Sequence, residues 1–268
     1  MLDFEVDLII MAADRGLGID LSGYARASLT RRLSIVVEKK GLENLSEMVP
    51  LLLHNAVFQA EFVSLVMVPV SELFRDPGMF LTLKNEVFPQ LESYHTLHIW
   101  VAGCAYGQEA YSLAILLDEA GLLERTTIYA TDISKPVLDV AKSGILTQDL
   151  CKETALLYQA SGGLASLSDY FTSAYGKFKL KGYLLEKIHF AQHDLVKGAA
   201  FTSAQLVLCR NVFIYFNEGL QESVMEVLMQ SIVKRGFFVI GPKETIKRSN
   251  YRNSLMEIDR VNNVFRKR

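Results

Sequence analysis

HIWVAGCAYGQEAYSLAIL, residues 98–116, decides the fold. A β-branched and aromatic run passes through Gly103-Cys104-Ala105-Tyr106-Gly107 directly into an amphipathic helical pattern, the strand-turn-helix of a parallel α/β sheet. Glycines in such a turn let a ligand approach the backbone, and at the C-terminal edge of a parallel sheet this is where nucleotide-like ligands sit. Outward from it the same rhythm continues. Strands are expected at His98–Ala102, Thr127–Ala130, Ile188–Ala191, Gln205–Leu208, Gly236–Ile240 and Asn263–Arg266, alternating with helices, so the fold class is α/β with a mainly parallel sheet.

Glu109 narrows the ligand. A dinucleotide fingerprint reads GxGxxG and offers bare backbone N–H groups to a pyrophosphate, whereas this turn has GxxxG spacing and an acid beside it. An anion is repelled there and an ammonium or sulfonium is not, which suits S-adenosylmethionine better than NAD. The other reading of Glu109 is a first-turn acid stabilised by the helix dipole. Asp132, just past the strand-like Ile128–Thr131 and about 30 residues beyond the glycine turn, suits a ribose diol, since a carboxylate accepts from both hydroxyls. It also reads as a turn residue before a helix begun by Ser134 and Pro136 and ended by Gly144.

Upstream the rhythm is helical. Residues 1–67 hold six basic and nine acidic side chains, and five of the six basics fall between Tyr24 and Lys40. That stretch reads as a helix capped by Ser22, with Ala25, Leu29, Leu33, Val36 and Val37 as its buried stripe. Tyr24, Arg31, Arg32 and Lys39 then fall on the other face, a solvated surface or a docking surface for an acidic partner. Two further helical patterns span Leu45–Met67, Asp76-Pro77-Gly78 breaks the periodicity, and the helical region is expected to end near Val70. Between Ala141 and Glu186 the alternation lapses, and Tyr170–Leu185, with Gly176 and Gly182, reads as a small antiparallel insertion or a plain surface excursion.

With 268 residues, 50% hydrophobic and 22% charged, and 28 basic against 30 acidic groups for a net charge of −2, the chain is globular and no general binder of nucleic acid. No apolar run reaches the ~18 residues of a membrane span, and Asp3, Glu5 and Asp7 break the pattern of a signal peptide, so a cytoplasmic location is expected. Cys104, Cys151 and Cys209 lack any CxxC pair, which indicates buried thiols rather than disulfides or a zinc site. The pairs His95/His98 and His189/His193 give no metal site, the second being too far apart along a strand.

Taken in order, VSELFR (70–75), AGCAYGQEAYSLA (102–114), ATDIS (130–134), HDL (193–195) and LCRNVFIYFN (208–217) resemble the CheR family, the chemotaxis receptor glutamate methyltransferases. The resemblance implies an all-helical N-terminal domain over 1–70 and a Rossmann-like S-adenosylmethionine-binding methyltransferase domain over 71–268, with a β-subdomain inserted at about 165–190. By similarity Glu109 faces the methionine amino group, Asp132 the ribose, and Asp194 with Leu195 the adenine. Ser71, Gly103, Arg75, Arg210 and Asn211 complete the cofactor site, and Arg75 and Tyr215 aid transfer. The cytoplasmic domain of a chemotaxis receptor is the implied partner, its acidic methylation helices meeting Arg31, Arg32 and Lys39. In some members the insertion holds a receptor tail. The implied enzyme is a monomer that neither binds nucleic acid nor inserts into membrane.

The chain departs from the family pattern at Pro69 and Ser71, where Asn-x-Thr is usual, and at Asp194, where Asn is common. Arg75 also reads as a domain-linking ion pair, Tyr215 as core, and Arg210 as a salt bridge. Methyl transfer to a glutamate, already ionised with a pKa of about 4.3, needs no general base, so the missing nucleophile–base pair is expected. Cys209-Arg210-Asn211-Val212 stands where enzymes methylating an amino nitrogen carry Asn/Asp-Pro-Pro-Tyr. The competing readings are a CheR-like scaffold or cofactor sensor with little or no turnover, and a nicotinamide dehydrogenase.

Overall fold

The computed structural model describes residues 3–67, 69–146 and 150–268. The helical region holds α1 (Asp3–Leu17), α2 (Arg26–Lys40), α3 (Met48–His54) and α4 (Ala56–Met67). Each contributes one apolar stripe, and Ile9, Leu29, Leu33, Met48, Leu52 and Phe62 close a core of their own. Helix α2 starts two residues later than Tyr24: Ala25 stands at its N-cap position, with no side-chain cap. Ser22 instead donates its backbone N–H to Asp20 at 2.8 Å. Gly41, at φ 65°, ends the helix with its N–H on the Val37 and Glu38 carbonyls.

After α5 (Pro77–Thr82), a π-helical turn and α6 (Phe88–Leu91), the sheet begins with β1 (Leu97–Ala102), α7 (Gln108–Glu119), β2 (Thr126–Asp132) and α8 (Lys135–Ser143). Helix α9 (Lys152–Ala160), the hairpin β3 (Phe171–Ala174) and β4 (Lys177–Leu180), and α10 (Gly182–Leu185) follow. The chain finishes with β5 (Ile188–Gln192), β6 (Ala204–Cys209), α11 (Glu218–Ser231), β7 (Ile232–Ile240), β8 (Leu255–Asp259) and β9 (Val264–Lys267). The seven-stranded sheet runs β5-β2-β1-β6-β7-β9-β8; β5 to β7 are parallel, while β9 and β8 are antiparallel. The central strands are apolar on both faces because both are covered. Ile99, Val101, Leu206 and Leu208 face α7, whereas Trp100, Ala102, Val207 and Cys209 pack with Val224 and Leu228 of α11.

Six expected strands are present, and β8 is an addition. As an edge strand paired on one side only, its Leu-Met-Glu-Ile-Asp carried a weak apolar signal. The stretch where the alternation lapses contains α9 and the separate β3–β4 sheet, turned at Tyr175 and Gly176, whose φ of 52° and 71° suit a primed two-residue hairpin. Cys104 and Cys209 are buried, but Cys151 is exposed, contrary to the expectation for all three thiols.

The insertion is tied to the sheet domain by polar contacts. Leu146 donates its N–H to the Phe178 carbonyl at 2.8 Å, and Leu180 donates to Gly144 at 2.9 Å. At the end of α7, the buried Glu119 carboxylate accepts from the Tyr158 hydroxyl, from Tyr170 at 2.9 Å and from the Leu164 N–H at 3.0 Å, with Lys84 at 3.7 Å. Burial of the two phenols and their bond to this acid push their pKa values up. Replacing Glu119 by Ala strands these donors, so urea unfolding should show a loss of about 2–4 kcal/mol.

Candidate functional site

Four strands end at the same edge of the sheet. Gly103 follows β1, Asp132 ends β2, Asp194 lies just past β5, and Arg210 follows β6. They surround a cavity of about 270 Å³, where the strand order places a ligand crevice.

The glycine turn is held close. Gly103 and Cys104 donate their N–H groups to the Thr131 carbonyl at 2.8 and 2.9 Å, and the Trp100 indole fixes the Thr131 hydroxyl at 2.9 Å. Gly103 (φ 75°) and Gly107 (φ 83°) have left-handed backbones. A Cβ on Gly103 would meet Val212 at 2.6 Å, and one on Gly107 would meet Phe190 at 3.0 Å, so neither position takes a side chain. Asp132 accepts the Ala105 N–H at 2.9 Å and the Ser134 N–H at 3.0 Å, one on each oxygen, which leaves a lone pair on each for a ligand. Burial raises its pKa against the opposing pull of these N–H groups. Asp132 is thus both a turn residue and a cavity carboxylate.

Arg210 organises the opposite wall. Its side chain is 1% exposed; it binds Glu109, Asp76 at 2.5 Å and the Arg75 carbonyl at 3.3 Å. One cation against two carboxylates leaves a net negative charge when both acids are ionised. One oxygen of Glu109 is committed to Arg210. Arg75 lines the cavity, and no hydrogen bond or ion pair of its guanidinium occurs among the described residues. The Ser71 hydroxyl accepts the Gln108 N–H at 3.2 Å at the start of α7. Asp194 takes the Val196 N–H at 2.8 Å, and Leu195 packs beside Trp100.

Arg210 is followed by Asn211 at φ 60°, a strained conformation held by one side chain. The buried Glu244 accepts N–H groups from Asn211 (2.9 Å), Ile214 (3.3 Å) and Gly241 (2.6 Å), and burial raises its pKa. The loop so fixed carries Tyr215, whose ring lies 4.5 Å beneath the Arg32 guanidinium. Tyr215 accepts the Ala25 N–H on its carbonyl at 2.8 Å, Gly23 accepts that of Asn217 at 2.8 Å, and Tyr24 forms an antiparallel bridge with Phe216.

The cavity thus gathers Ser71, Arg75, Gly103, Glu109, Asp132, Asp194, Leu195, Arg210, Asn211 and Tyr215. The face of α2 is corrected. Arg31 and Lys39 are exposed, but Arg32 is buried, donating to the Val66 carbonyl at 3.0 Å and stacking on Tyr215. Tyr24 does not point away either; it lines the cavity. Sequence reasoning missed Tyr24, Asp76 and Glu244. Asp76 read only as a turn, and a lone Glu four residues after a strand carries no pattern.

Carboxylates with free lone pairs and a close glycine backbone fit a nucleoside bearing a cationic centre, the chemistry of S-adenosylmethionine, while the unpaired guanidinium is open to a carboxylate. Removing the central cation should strand Glu109 and Asp76 together. Arg210→Met is expected to lose about 2–4 kcal/mol in urea unfolding.

Comparison with known proteins gives the same direction. The family described as CheR methyltransferase, SAM binding domain, matches residues 69–261, and that described as CheR methyltransferase, all-alpha domain, matches 5–67. A Pseudomonas putida protein, Cher3, provisionally described as a methyltransferase, is 38% identical over 265 residues, covering 99% of this chain and 97% of its own. The chemotaxis protein methyltransferase of Listeria monocytogenes is 27% identical, covering 91% of this chain and 92% of its own. Chemotaxis protein methyltransferase 1 of Pseudomonas aeruginosa is 28% identical, with coverage of 91% and 90%.

Proposed function

Because this chain belongs to the CheR methyltransferase family, we propose that it esterifies glutamate side chains of a chemotaxis receptor, with S-adenosylmethionine as methyl donor. The observation that carries the reading is the cavity lined together by Asp132, the Arg210-bound Glu109 and an Arg75 that has no ion-pair partner among the described residues. The cofactor supplies a methyl group on a sulfonium, activated without any help from a base.

What remains for the protein is orientation and dryness. Asp132 accepts the ribose hydroxyls through its two remaining lone pairs. Glu109 and Asp76 give the methionine end a negative wall that favours an ammonium and a sulfonium, while Arg210 keeps that wall from being desolvated without a counter-charge. The acceptor glutamate arrives ionised, and the planar fork of Arg75 matches a carboxylate at two points. Tyr215, held by Arg32 and by the Glu244 loop, adds a phenol at the reaction end. Positioning of this kind is worth about 7–11 kcal/mol in favourable systems. Ser71 accepts the Gln108 N–H at the start of α7 and keeps its hydroxyl proton for a ligand, whereas Pro69 offers no N–H. Arg31 and Lys39 carry the docking role for acidic receptor helices, Arg32 having an internal one. Transfer and docking would occur beside the receptor's cytoplasmic region; among the described residues no helix is long and apolar enough to cross a membrane.

The test is incubation with methyl-labelled S-adenosylmethionine and a receptor cytoplasmic domain. The label should be released by alkali as methanol, and alkali-stable label would overturn carboxylate esterification. Arg75→Ala should lower kcat at least about tenfold while leaving the Kd for S-adenosylhomocysteine within about threefold of wild type. The raised pKa of Asp132 sets a pH profile: S-adenosylhomocysteine affinity should fall as the pH is lowered through a carboxyl pKa above 3.8, and Asp132→Asn should remove that step.

A further inference from the structure

We propose that Tyr24, contributed by the helical domain, is a nucleoside-binding residue of the cofactor site. This rests on the S-adenosylmethionine reading above and extends it to the other domain. Three features carry it. Tyr24 lines the same cavity as Asp132 and Asp194. Its backbone is fixed by the bridge to Phe216 and by its own N–H on the Leu21 carbonyl at 3.1 Å, and its ring packs edge-on against Phe216 at 5.2 Å. Its hydroxyl makes no hydrogen bond among the described residues, although the side chain is half-buried.

The chemistry follows from its neighbours. Asp132 and Asp194 act as acceptors when ionised, and a ligand between them must donate to both. A ribose hydroxyl that donates to Asp132 keeps oxygen lone pairs that need a donor. The Tyr24 phenol is that donor, and it holds its proton: burial and the nearby carboxylates of Asp194, Asp132 and Asp20 raise its pKa, with Arg32 the opposing charge. A purine nucleoside is therefore gripped from both domains at once, and the sheet domain lacks one of its ligand contacts without residues 23–25.

Tyr24→Phe separates this role from packing, because it keeps the ring against Phe216 and removes only the hydroxyl. Wild type and Tyr24→Phe would be titrated calorimetrically with S-adenosylhomocysteine and with 5′-methylthioadenosine, which has the nucleoside but no amino acid. The variant should bind both ligands about three- to tenfold more weakly, the loss of one hydrogen bond, with the melting temperature of the unligated protein unchanged. Affinity within twofold of wild type for both ligands overturns the proposal, as does a loss confined to S-adenosylhomocysteine, which would put Tyr24 at the amino-acid end. Wild-type protein that binds neither ligand overturns the cofactor reading itself, and the role of Tyr24 with it. Tyr24→Glu, which places a third acid beside two others, should abolish binding if the hydroxyl faces the ligand and leave it intact if it does not.

Discussion

A guanidinium sealed at the end of the central strand governs how the rest is arranged. Arg210 is 1% exposed, and such a cation persists only with counter-charges brought to it. Those come from two other segments: Glu109 in the first turn of α7 and Asp76 in the link that leaves the helical domain. Three stretches far apart in sequence therefore meet at one point. Backbone strain gathers around the same point. Phe74, Asp76, Ala105 and Asn211 all have left-handed φ values between 48° and 60° without being glycine. Each costs about 1–3 kcal/mol and is kept only where neighbours over-determine it. Ser112 holds the Phe74 N–H at 2.9 Å, Asp132 that of Ala105, and Glu244 that of Asn211.

The helical domain shares in this wall. Its charged helix divides by direction: Arg31 and Lys39 stand in solvent, while Arg32 turns inward over Tyr215 and anchors on the Val66 carbonyl. Beside it, the loop before α2 pairs with the loop after β6 through backbone hydrogen bonds. A second tie joins Lys197 to Asp14 at 2.6 Å and to the Gly18 carbonyl at 2.7 Å. The exposed basic residues and the cavity-facing one thus lie on opposite sides of one helix.

The sheet was legible because its central strands are nearly continuous apolar runs bounded by Gly103, Asp132 and Arg210, where a charge or a glycine ends the burial. The cavity residues on those strand ends were legible for the same reason: polar groups there are poor packing and good ligand chemistry. Strand β8 was not, since only Leu255 of its five residues is buried. Arg32 was misjudged because a helical wheel reports angle about the axis and knows nothing of a second domain pressed against that angle. The placement of Tyr24 and Glu244 against the cavity was not legible because their partners lie about 190 and 30 residues away, a separation no local periodicity encodes.

Gly23 shows what this close seam demands. A Cβ there would meet Leu220 of α11 at 2.8 Å, so the two domains touch at a residue chosen for having no side chain. The covalent boundary near Val70 is consequently a poor place to cut. A chimera exchanging the helical module between relatives must carry residues 23–25 and 215–220 as one matched block. That hidden joint couples the two modules more closely than the visible linker does.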